Sequence, residues 1–451
     1  MFLRSLLFAA LCALGIVVGC GEKTHQETAP PRNLLLITID TLRADHIGTY
    51  GGTPGLSAHI DALAQEGLRF ERAYATAPLT GPSHASILTG RYPSEHGVLY
   101  NGMRLAKPML YTPESTPISS HLQAQGYRTG AIVTALPLIR KYGFATGFDS
   151  HEMIPAKTPS KTADIGGSSA DAVEATRAWL GRQGEEPFFL WLHLYEVHIP
   201  YISPPKVHAR LGTEPIAIGV PQLNLSRLEE IQNAYRAEVL EMDDSIGTLL
   251  ATLEELGLRD STLIALLSDH GEYLGEHEGL FGHSLLKEEV MRIPMVLTGP
   301  GVDPGVHTGA VSAVDLAPTI LDIMKLPELP GATGRSLANA EPSSELPIYG
   351  EWRDIRLHDA TEQAQSRDLL VGVWHGHRKL VRSELSSELR AYDLSVQHGG
   401  NRDIYAEKPE WLGEMISHLG DLSVAETPVS SEPVPMSVDG IELLRSLGYI
   451  E

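Results

Sequence analysis

The chain has 451 residues, of which 42% are hydrophobic and 20% are charged. This composition is typical of a folded globular protein and excludes a disordered chain. The 57 acidic residues outnumber the 35 basic ones, and the net charge is -22. Nucleic acid is therefore not an expected partner, and the chain lacks a polybasic route to an anionic membrane. An anionic substrate must be attracted by a local positive feature such as a metal ion. The length allows one large α/β domain with an appendage, or two to three ordinary domains.

The first twenty residues, MFLRSLLFAALCALGIVVGC, contain one basic residue, an apolar run and then small residues. This pattern predicts a secretory signal peptide over residues 1–20. The segment VVGC resembles the bacterial lipobox, which implies cleavage before Cys20 and lipid attachment to its sulfur. The alternative is an ordinary signal peptide or anchor with an incidental cysteine. We expect residues 21–32 to form a polar tether that holds an extracytoplasmic protein at the cell envelope.

Four near-continuous apolar runs predict strands that are buried on both faces of a sheet. They cover residues 33–40, 130–136, 187–194 and 262–269. Helical spacing of apolar residues lies between these runs, in residues 57–67, 169–183 and 228–257. The alternation predicts an α/β fold, with a large, mostly parallel sheet and helices on both faces. Ligands of such sheets bind beyond the carboxyl ends of the strands.

The pattern changes from about Ile348 onward. Two runs at 368–383 and 388–395 predict antiparallel strands, and residues 410–420 predict a short amphipathic helix. We therefore expect a catalytic domain over 33–345 and a small α+β subdomain over 346–425. A linker and a C-terminal docking helix are expected over 426–451.

Two carboxylates end predicted strands, and one of them is followed directly by an imidazole. Asp40 ends the first strand, while Asp269 and His270 end the fourth. Carboxylate and imidazole ligands suit a divalent cation. A single strand-end Asp is more often a helix cap, but two of them, one paired with His, favour a metal site. His277 and His283 add to the density of histidines in the same segment.

The segment TGPSHASILTG begins at Thr80 and predicts a short helix, with Pro82 in its first turn and Gly90 at its end. Free N–H groups at a helix start favour a bound anion. Thr80 is therefore either a capping hydroxyl or a nucleophile. A neighbouring divalent cation favours the second interpretation, because it promotes loss of the hydroxyl proton.

These segments together resemble the sulfatase family. TGPSHASILTG has the shape of the family's Cys-x-Pro-Ser-Arg motif, with Thr80 at the position of the Cys that becomes formylglycine and His84 at that of the Arg. FFLWLHLYEVHIPY resembles the family's substrate-facing segment, with Glu196 where Asp is usual, and His283 stands where many members have Lys. The resemblance covers nearly the whole folded chain and implies the alkaline-phosphatase-like fold.

The resemblance also implies roles for individual residues. One divalent cation (calcium, manganese, magnesium or zinc) is expected on Asp40, Asp269 and His270, with Thr80 as fourth ligand and nucleophile. His198 and His283 are expected to flank the anion, although His198 could instead be a structural imidazole in its loop. Arg43 and His84 are expected to support the metal ligands or to orient the anion. His193 is expected to be a buried strand residue, and His277 receives no role.

A threonine cannot follow the formylglycine route, because its ester must be broken by a second attack, from water or an acceptor hydroxyl. We expect a hydrolase that cleaves a sulfate or phosphate ester of a glycan, lipid or small molecule in the envelope. One alternative is a phospho-group transferase or phosphodiesterase acting on envelope lipid or glycan. Another is a non-catalytic protein that binds sulfated glycan, although retention of the metal ligands argues against it. The sequence gives no signal for an oligomeric state.

Overall fold

The structure is a computed structural model, and it describes residues 30–101, 115–155, 167–219, 223–343, 346–356, 365–396 and 399–420. The signal peptide, Cys20, most of the tether and the C-terminal docking helix lie outside these residues. The helix predicted at 410–420 lies within them, at 412–420. Within the described part of the chain, no helix is both long and apolar enough to cross a membrane.

The described strands are numbered in chain order. They are β1 (Asn33–Ile39), β2 (Leu68–Tyr74), β3 (Arg128–Val133), β4 (Ser150–Met153), β5 (Phe188–Leu194), β6 (Thr262–Ser268), β7 (Tyr273–Leu274), β8 (Phe281–Gly282), β9 (Arg292–Ile293), β10 (Met295–Thr298), β11 (Gly305–Ser312), β12 (Ile348–Arg356), β13 (Gln365–His375), β14 (Arg378–Ser383) and β15 (Leu389–Asp393).

The described α-helices are numbered in the same way. They are α1 (Ala58–Glu66), α2 (Thr80–Thr89), α3 (Pro93–His96), α4 (Ile118–Ala124), α5 (Ser169–Leu180), α6 (Pro205–Leu211), α7 (Leu228–Glu255), α8 (Glu276–Gly279), α9 (Glu288–Met291), α10 (Leu316–Ile323) and α11 (Leu412–Gly420).

A nine-stranded sheet forms the centre of the molecule, in the order β11-β2-β10-β6-β1-β5-β3-β4, with β9 paired to β2. The predicted α/β class is confirmed. The sheet is mixed, because β10 runs antiparallel to both β2 and β6. The strands β6, β1, β5 and β3 are parallel to one another, and these are the four that the apolar runs predicted.

Each central strand buries both faces because its side chains alternate between two hydrophobic cores. Leu34 and Leu36 lie in one core, with residues of α2, α4 and α10. Leu35 and Ile37 lie in the other, with residues of α1, α5 and α7. Helices therefore cover both faces of the sheet, as predicted.

The second sheet has four antiparallel strands, in the order β12-β13-β14-β15. Its Trp374 joins the core of the large domain, while Val371 and Val373 face Met415 and Leu419 of α11. The buried Lys379 ammonium lies 2.9 Å from a carboxylate oxygen of Glu288 on α9. The small sheet is thus packed between the large domain and α11. The domain boundaries at 345 and 425 remain predictions.

Candidate active site

The carboxyl ends of β1 and β6 bring three of the predicted metal ligands together. The two strands are neighbours, with Ile39 paired to Ser268, so the residues that follow them meet at one edge of the sheet. Asp40, Asp269 and His270 each present a ligand atom, and these atoms lie within 4.8 Å of one another. All three residues are fully buried.

The ligand atoms of this cluster have no hydrogen-bond partners among the residues that the structure describes. This holds for both carboxylate oxygens of Asp40, for Oδ2 of Asp269 and for Nε2 of His270. The other polar atoms are fixed: Asp269 Oδ1 accepts the N–H groups of Thr41 (3.2 Å) and His270 (2.8 Å). Leaving a buried polar atom unpaired costs about 1–3 kcal/mol. Three residues that hold unpaired ligand atoms within 4.8 Å of one another fit a divalent cation.

The protonation states agree with metal binding. His270 Nδ1 lies 3.0 Å from the carbonyl oxygen of Gly271, and a carbonyl oxygen can only accept. The proton is therefore on Nδ1, and Nε2 carries a lone pair. Burial lowers the pKa of His270 to about 3, which keeps the imidazole neutral. Burial raises the pKa of Asp40 and of Asp269, and the charge of Asp40 raises that of Asp269 further. A bound cation would remove this cost.

The first turn of α2 lies against the same cluster. Ser83 donates its hydroxyl to the carbonyl oxygen of Asp269 at 2.7 Å. Thr80 is the first residue of α2 and is 1% exposed, whereas Leu79 occupies the capping position. The interpretation of Thr80 as the helix cap is therefore wrong, because the helix begins one residue earlier than a Thr80 cap requires. Gly90 ends the helix in the left-handed conformation, as predicted.

His84 connects α2 to the metal-ligand cluster. Its Nδ1 donates to the carbonyl oxygen of Thr80 at 2.8 Å and lies 3.5 Å from Oδ2 of Asp269. Its Nε2 lies 3.0 Å from the hydroxyl of Thr38. Burial holds the pKa of His84 well below its ordinary value, so the ring is neutral. Of the two roles predicted for His84, this geometry favours support of the metal ligands.

Two further histidines stand beside the cluster. The ring centroid of His283 lies 4.4 Å from that of His270 and 5.4 Å from that of His198. His283 Nδ1 donates to the carbonyl oxygen of Pro78 at 2.8 Å, and His198 Nδ1 donates to that of Ile199 at 2.6 Å. In a neutral ring with the proton on Nδ1, the lone pair is on Nε2. Burial lowers the pKa of His198 to about 3.

Comparison with known proteins agrees with this geometry. The family model described as "Sulfatase" matches residues 32–326, which is more than half of the chain. The chain belongs to the sulfatase family. It is 27% identical over 354 residues to the ulvan-active sulfatase of Formosa agariphila, a match that covers 72% of this chain and 68% of that protein.

Solved structures share the fold. One is the structure of BT4656 in complex with its substrate D-glucosamine-2-N,6-O-disulfate, at a TM-score of 0.70 and 21% identity, covering 87% of this chain and 97% of that one. Another is the phosphonate monoester hydrolase of Agrobacterium radiobacter, at a TM-score of 0.68 and 19% identity, covering 86% of this chain and 94% of that one. The family match makes the chain a sulfatase-family hydrolase, and its fold is shared with a phosphonate monoester hydrolase. Members of the family generally use a divalent metal ion.

Arg43 of this sulfatase-family chain does not face the cluster. Its guanidinium pairs with Asp45 at 2.6 Å and with Glu276 at 2.7 Å, and it also donates to the carbonyl oxygen of Glu272 at 3.1 Å. These contacts join the loop after β1 to the segment after β6. They favour a role for Arg43 in holding the two loops, rather than in orienting the anion.

Two residues beside the site were not among the predicted catalytic groups. Asn101 accepts the N–H of Gly81 at 2.7 Å, and its buried Nδ2 has no partner among the described residues. His193 is buried, as expected, yet its Nε2 lies 3.5 Å from Oδ2 of Asp40. The alternation of side chains along β5 could have predicted which face of the sheet carries His193. Asn101 lies outside the helices and strands, and its sequence position gave no indication of its contact with α2.

Proposed function

We propose that this chain is a metal-dependent hydrolase that cleaves a sulfate or phosphate ester with Thr80 as nucleophile. The observation that carries the proposal is the contact between the start of α2 and a cluster of unpartnered ligand atoms. Ser83 and His84 both touch Asp269, which fixes the first turn of the helix against the metal ligands. The family membership supports ester hydrolysis.

The residues of the cluster fit one divalent cation, which would be held by Asp40, Asp269, His270 and the Thr80 hydroxyl. Without a cation, two buried carboxylates would repel an anionic ester, so the chain alone cannot attract its substrate. When bound, the cation would stabilise charge on the ester oxygens and favour the deprotonated hydroxyl.

The chain's own residues would then carry the group transfer. The Thr80 oxygen attacks sulfur or phosphorus and forms a new ester, while the bond to the leaving alcohol breaks. Nε2 of a neutral His198 or His283 ring would carry a lone pair, accept the Thr80 proton and return it to the leaving oxygen. Water then attacks the threonine ester, regenerating the hydroxyl and releasing sulfate or phosphate.

Phosphoryl transfer is the second candidate, and two observations favour it. Relatives include the multifunctional alkaline phosphatase superfamily protein PehA of Trinickia caryophylli, at 26% identity, and the fold is shared with a phosphonate monoester hydrolase. A threonine also cannot eliminate sulfate as a formylglycine hydrate can. The substrate is therefore an ester of either acid, and a transferase would differ by requiring an acceptor hydroxyl.

A paired assay tests the proposal. Metal-stripped protein is reloaded with calcium, manganese, magnesium or zinc and offered matched aryl sulfate, phosphate monoester and phosphodiester substrates. Thr80→Ala should lower kcat/KM by about 10³-fold or more, whereas Thr80→Ser should retain much of the activity because the nucleophilic oxygen remains. Near-normal turnover by Thr80→Ala would contradict the nucleophile. Ligand binding without turnover in the wild type would instead favour the non-catalytic glycan-binding alternative.

We also propose that the protein is anchored at the envelope by lipid on Cys20, because small residues precede this cysteine at the end of the apolar run. Metabolic labelling with a fatty acid should mark the wild type in the membrane fraction. Cys20→Ser should lose the label. Equal labelling of both proteins would contradict the anchor.

A further inference from the structure

A second cluster of metal-binding side chains lies far along the chain from the first, on the small sheet. His375 ends β13, while Glu414 and His418 lie one turn apart on α11. Nδ1 of His375 lies 3.0 Å from Oε1 of Glu414, and Nε2 of His418 lies 3.7 Å from the same oxygen. The three ligand atoms lie within 4.8 Å of one another. The proposed reaction uses none of these residues.

The spacing of these atoms suits a small tetrahedral ion. Zinc–nitrogen and zinc–oxygen bonds of ~2.0–2.1 Å place neighbouring ligands of a tetrahedron about 3.3 Å apart. The two nitrogen–oxygen separations, 3.0 and 3.7 Å, lie on either side of this value. The imidazole rings of His375 and His418 meet edge to face at 84°, with their centroids 5.0 Å apart. Small rotations of the side chains would bring all three atoms onto one ion.

The surroundings orient the cluster. Arg378 donates to Oε2 of Glu414 at 2.7 Å, which leaves Oε1 directed at the two imidazoles. A partner of this kind is what fixes a ligating carboxylate in known metal sites. Nε2 of His418 is buried and has no hydrogen-bond partner among the residues that the structure describes. An ion would satisfy this nitrogen.

We propose that His375 Nδ1, Glu414 Oε1 and His418 Nε2 bind one divalent ion of the zinc class. Two imidazoles and one carboxylate favour zinc, copper or nickel over calcium and magnesium, which prefer oxygen ligands. The side chains of His375 and His418 are 27% and 24% exposed, so a water molecule can take the fourth position. The ion ties α11 to the edge of β13 and stabilises the small subdomain.

Zinc titration tests the site directly. Metal-stripped Asp269→Ala protein, in which the buried cluster is disrupted, is titrated with zinc chloride by calorimetry. We expect a zinc-binding event that His375→Ala and His418→Ala each weaken by at least about 10–100-fold, the loss seen when only an outer partner of a ligand is removed. His377→Ala is the matched control, since His377 is an exposed histidine of the same hairpin, and it should bind zinc as its parent does.

The melting temperature with and without zinc is a second, separate readout of the same site. Zinc should raise the Tm of the parent and of His377→Ala, and should leave the Tm of His375→Ala and His418→Ala unchanged. If His418→Ala lowers the metal-free Tm, His418→Gln and His375→Ala carry the comparison. Zinc binding of equal affinity in the parent and in both histidine variants would overturn the site, as would an absence of zinc binding in the Asp269→Ala parent.

Discussion

Two histidine–carboxylate clusters in the described part of the chain differ in how their ligand atoms are satisfied. At the edge of the large sheet, Asp40, Asp269 and His270 are fully buried, and four of their atoms have no partner in the described residues. On the small sheet, Glu414 is 44% exposed and already pairs with Arg378 and His375. The proposed cation would neutralise the buried charge of the first cluster. The second is stable as an ion pair and can take an ion in addition.

The largest expected effect follows from disrupting the buried cluster. Asp269→Ala should abolish detectable turnover, because it removes a ligand and the oxygen that His84 faces. Removal of divalent cations from the wild type by a chelator should have the same effect, reversed when the metal is restored. Asp260→Ala, an exposed carboxylate near the opposite end of β6, is the matched control. Turnover that persists in chelator would contradict a metal-dependent site.

Substitution of Arg43 should have a smaller effect, and it shows whether Arg43 supports the loops or contacts the substrate. Arg43→Ala should lower the free energy of unfolding by about 2 kcal/mol, a value between those of exposed and buried ion pairs, because Arg43 is buried while the Asp45 side chain is 54% exposed. Asp45→Asn removes the ion pair between Arg43 and Asp45 from the other side. Both variants should lower kcat, and to a similar extent. Urea unfolding and steady-state kinetics measure the two effects. A raised KM in Arg43→Ala alone would show that Arg43 contacts the anion.

Protonation of a buried imidazole should make the large domain sensitive to acid. His96 behind α2 accepts the N–H of Val98 on Nδ1 at 3.0 Å, and burial lowers its pKa to about 3. In the unfolded chain, His96 takes up a proton as the pH falls below its ordinary pKa of 6.5. In the folded chain it stays neutral until about pH 3, so the free energy of unfolding falls as the pH drops below 6.5. The contribution lost between pH 7 and pH 5 is about 2 kcal/mol.

Urea unfolding at several pH values measures this loss. His96→Gln cannot take up the proton, so its free energy of unfolding should fall less steeply over the same interval. Parallel pH profiles of wild type and variant would assign the acid sensitivity to other groups, such as the buried imidazoles of the active site.

The smallest expected effect is that of the small-sheet cluster on turnover at the buried cluster. His375→Ala and His418→Ala should change kcat by less than about twofold at saturating metal, because neither residue belongs to the buried site. The same variants should lose the stabilisation by zinc. A large loss of kcat in either variant, with an unchanged Tm, would show that the small sheet takes part in catalysis.

The buried cluster could be predicted from sequence because its ligands follow continuous apolar strands. Such runs mark the centre of a parallel sheet, and a polar residue at their carboxyl ends must lie at the ligand-binding edge. The strands β2, β10 and β11 were not predicted. The strands β2 and β11 mix buried positions with partly or fully exposed ones, which gives a weaker pattern. The strand β10 is buried throughout but has only four residues, too few for a clear apolar run.

The contacts made by single side chains were harder to predict. The pairing of Arg43 with Glu276 joins segments far apart in the sequence, and nothing local to either residue indicates it. The same is true of His375, Glu414 and His418, where a strand end meets a helix only in the folded subdomain. The start of α2 at Thr80, with Leu79 in the capping position, depends on tertiary contacts such as that of Ser83 with Asp269.

A covalent adduct on Thr80 is the most direct test of the proposed mechanism. Metal-loaded wild-type protein is mixed with an activated aryl sulfate or phosphate, quenched in acid during turnover, and analysed by mass spectrometry of its peptides. The mechanism predicts that the peptide containing Thr80 gains the mass of one sulfuryl or phosphoryl group, that Thr80→Ser gains it at the same position, and that Thr80→Ala does not. An unmodified Thr80 in an enzyme that turns over, or an adduct on another residue, would contradict the nucleophile assignment.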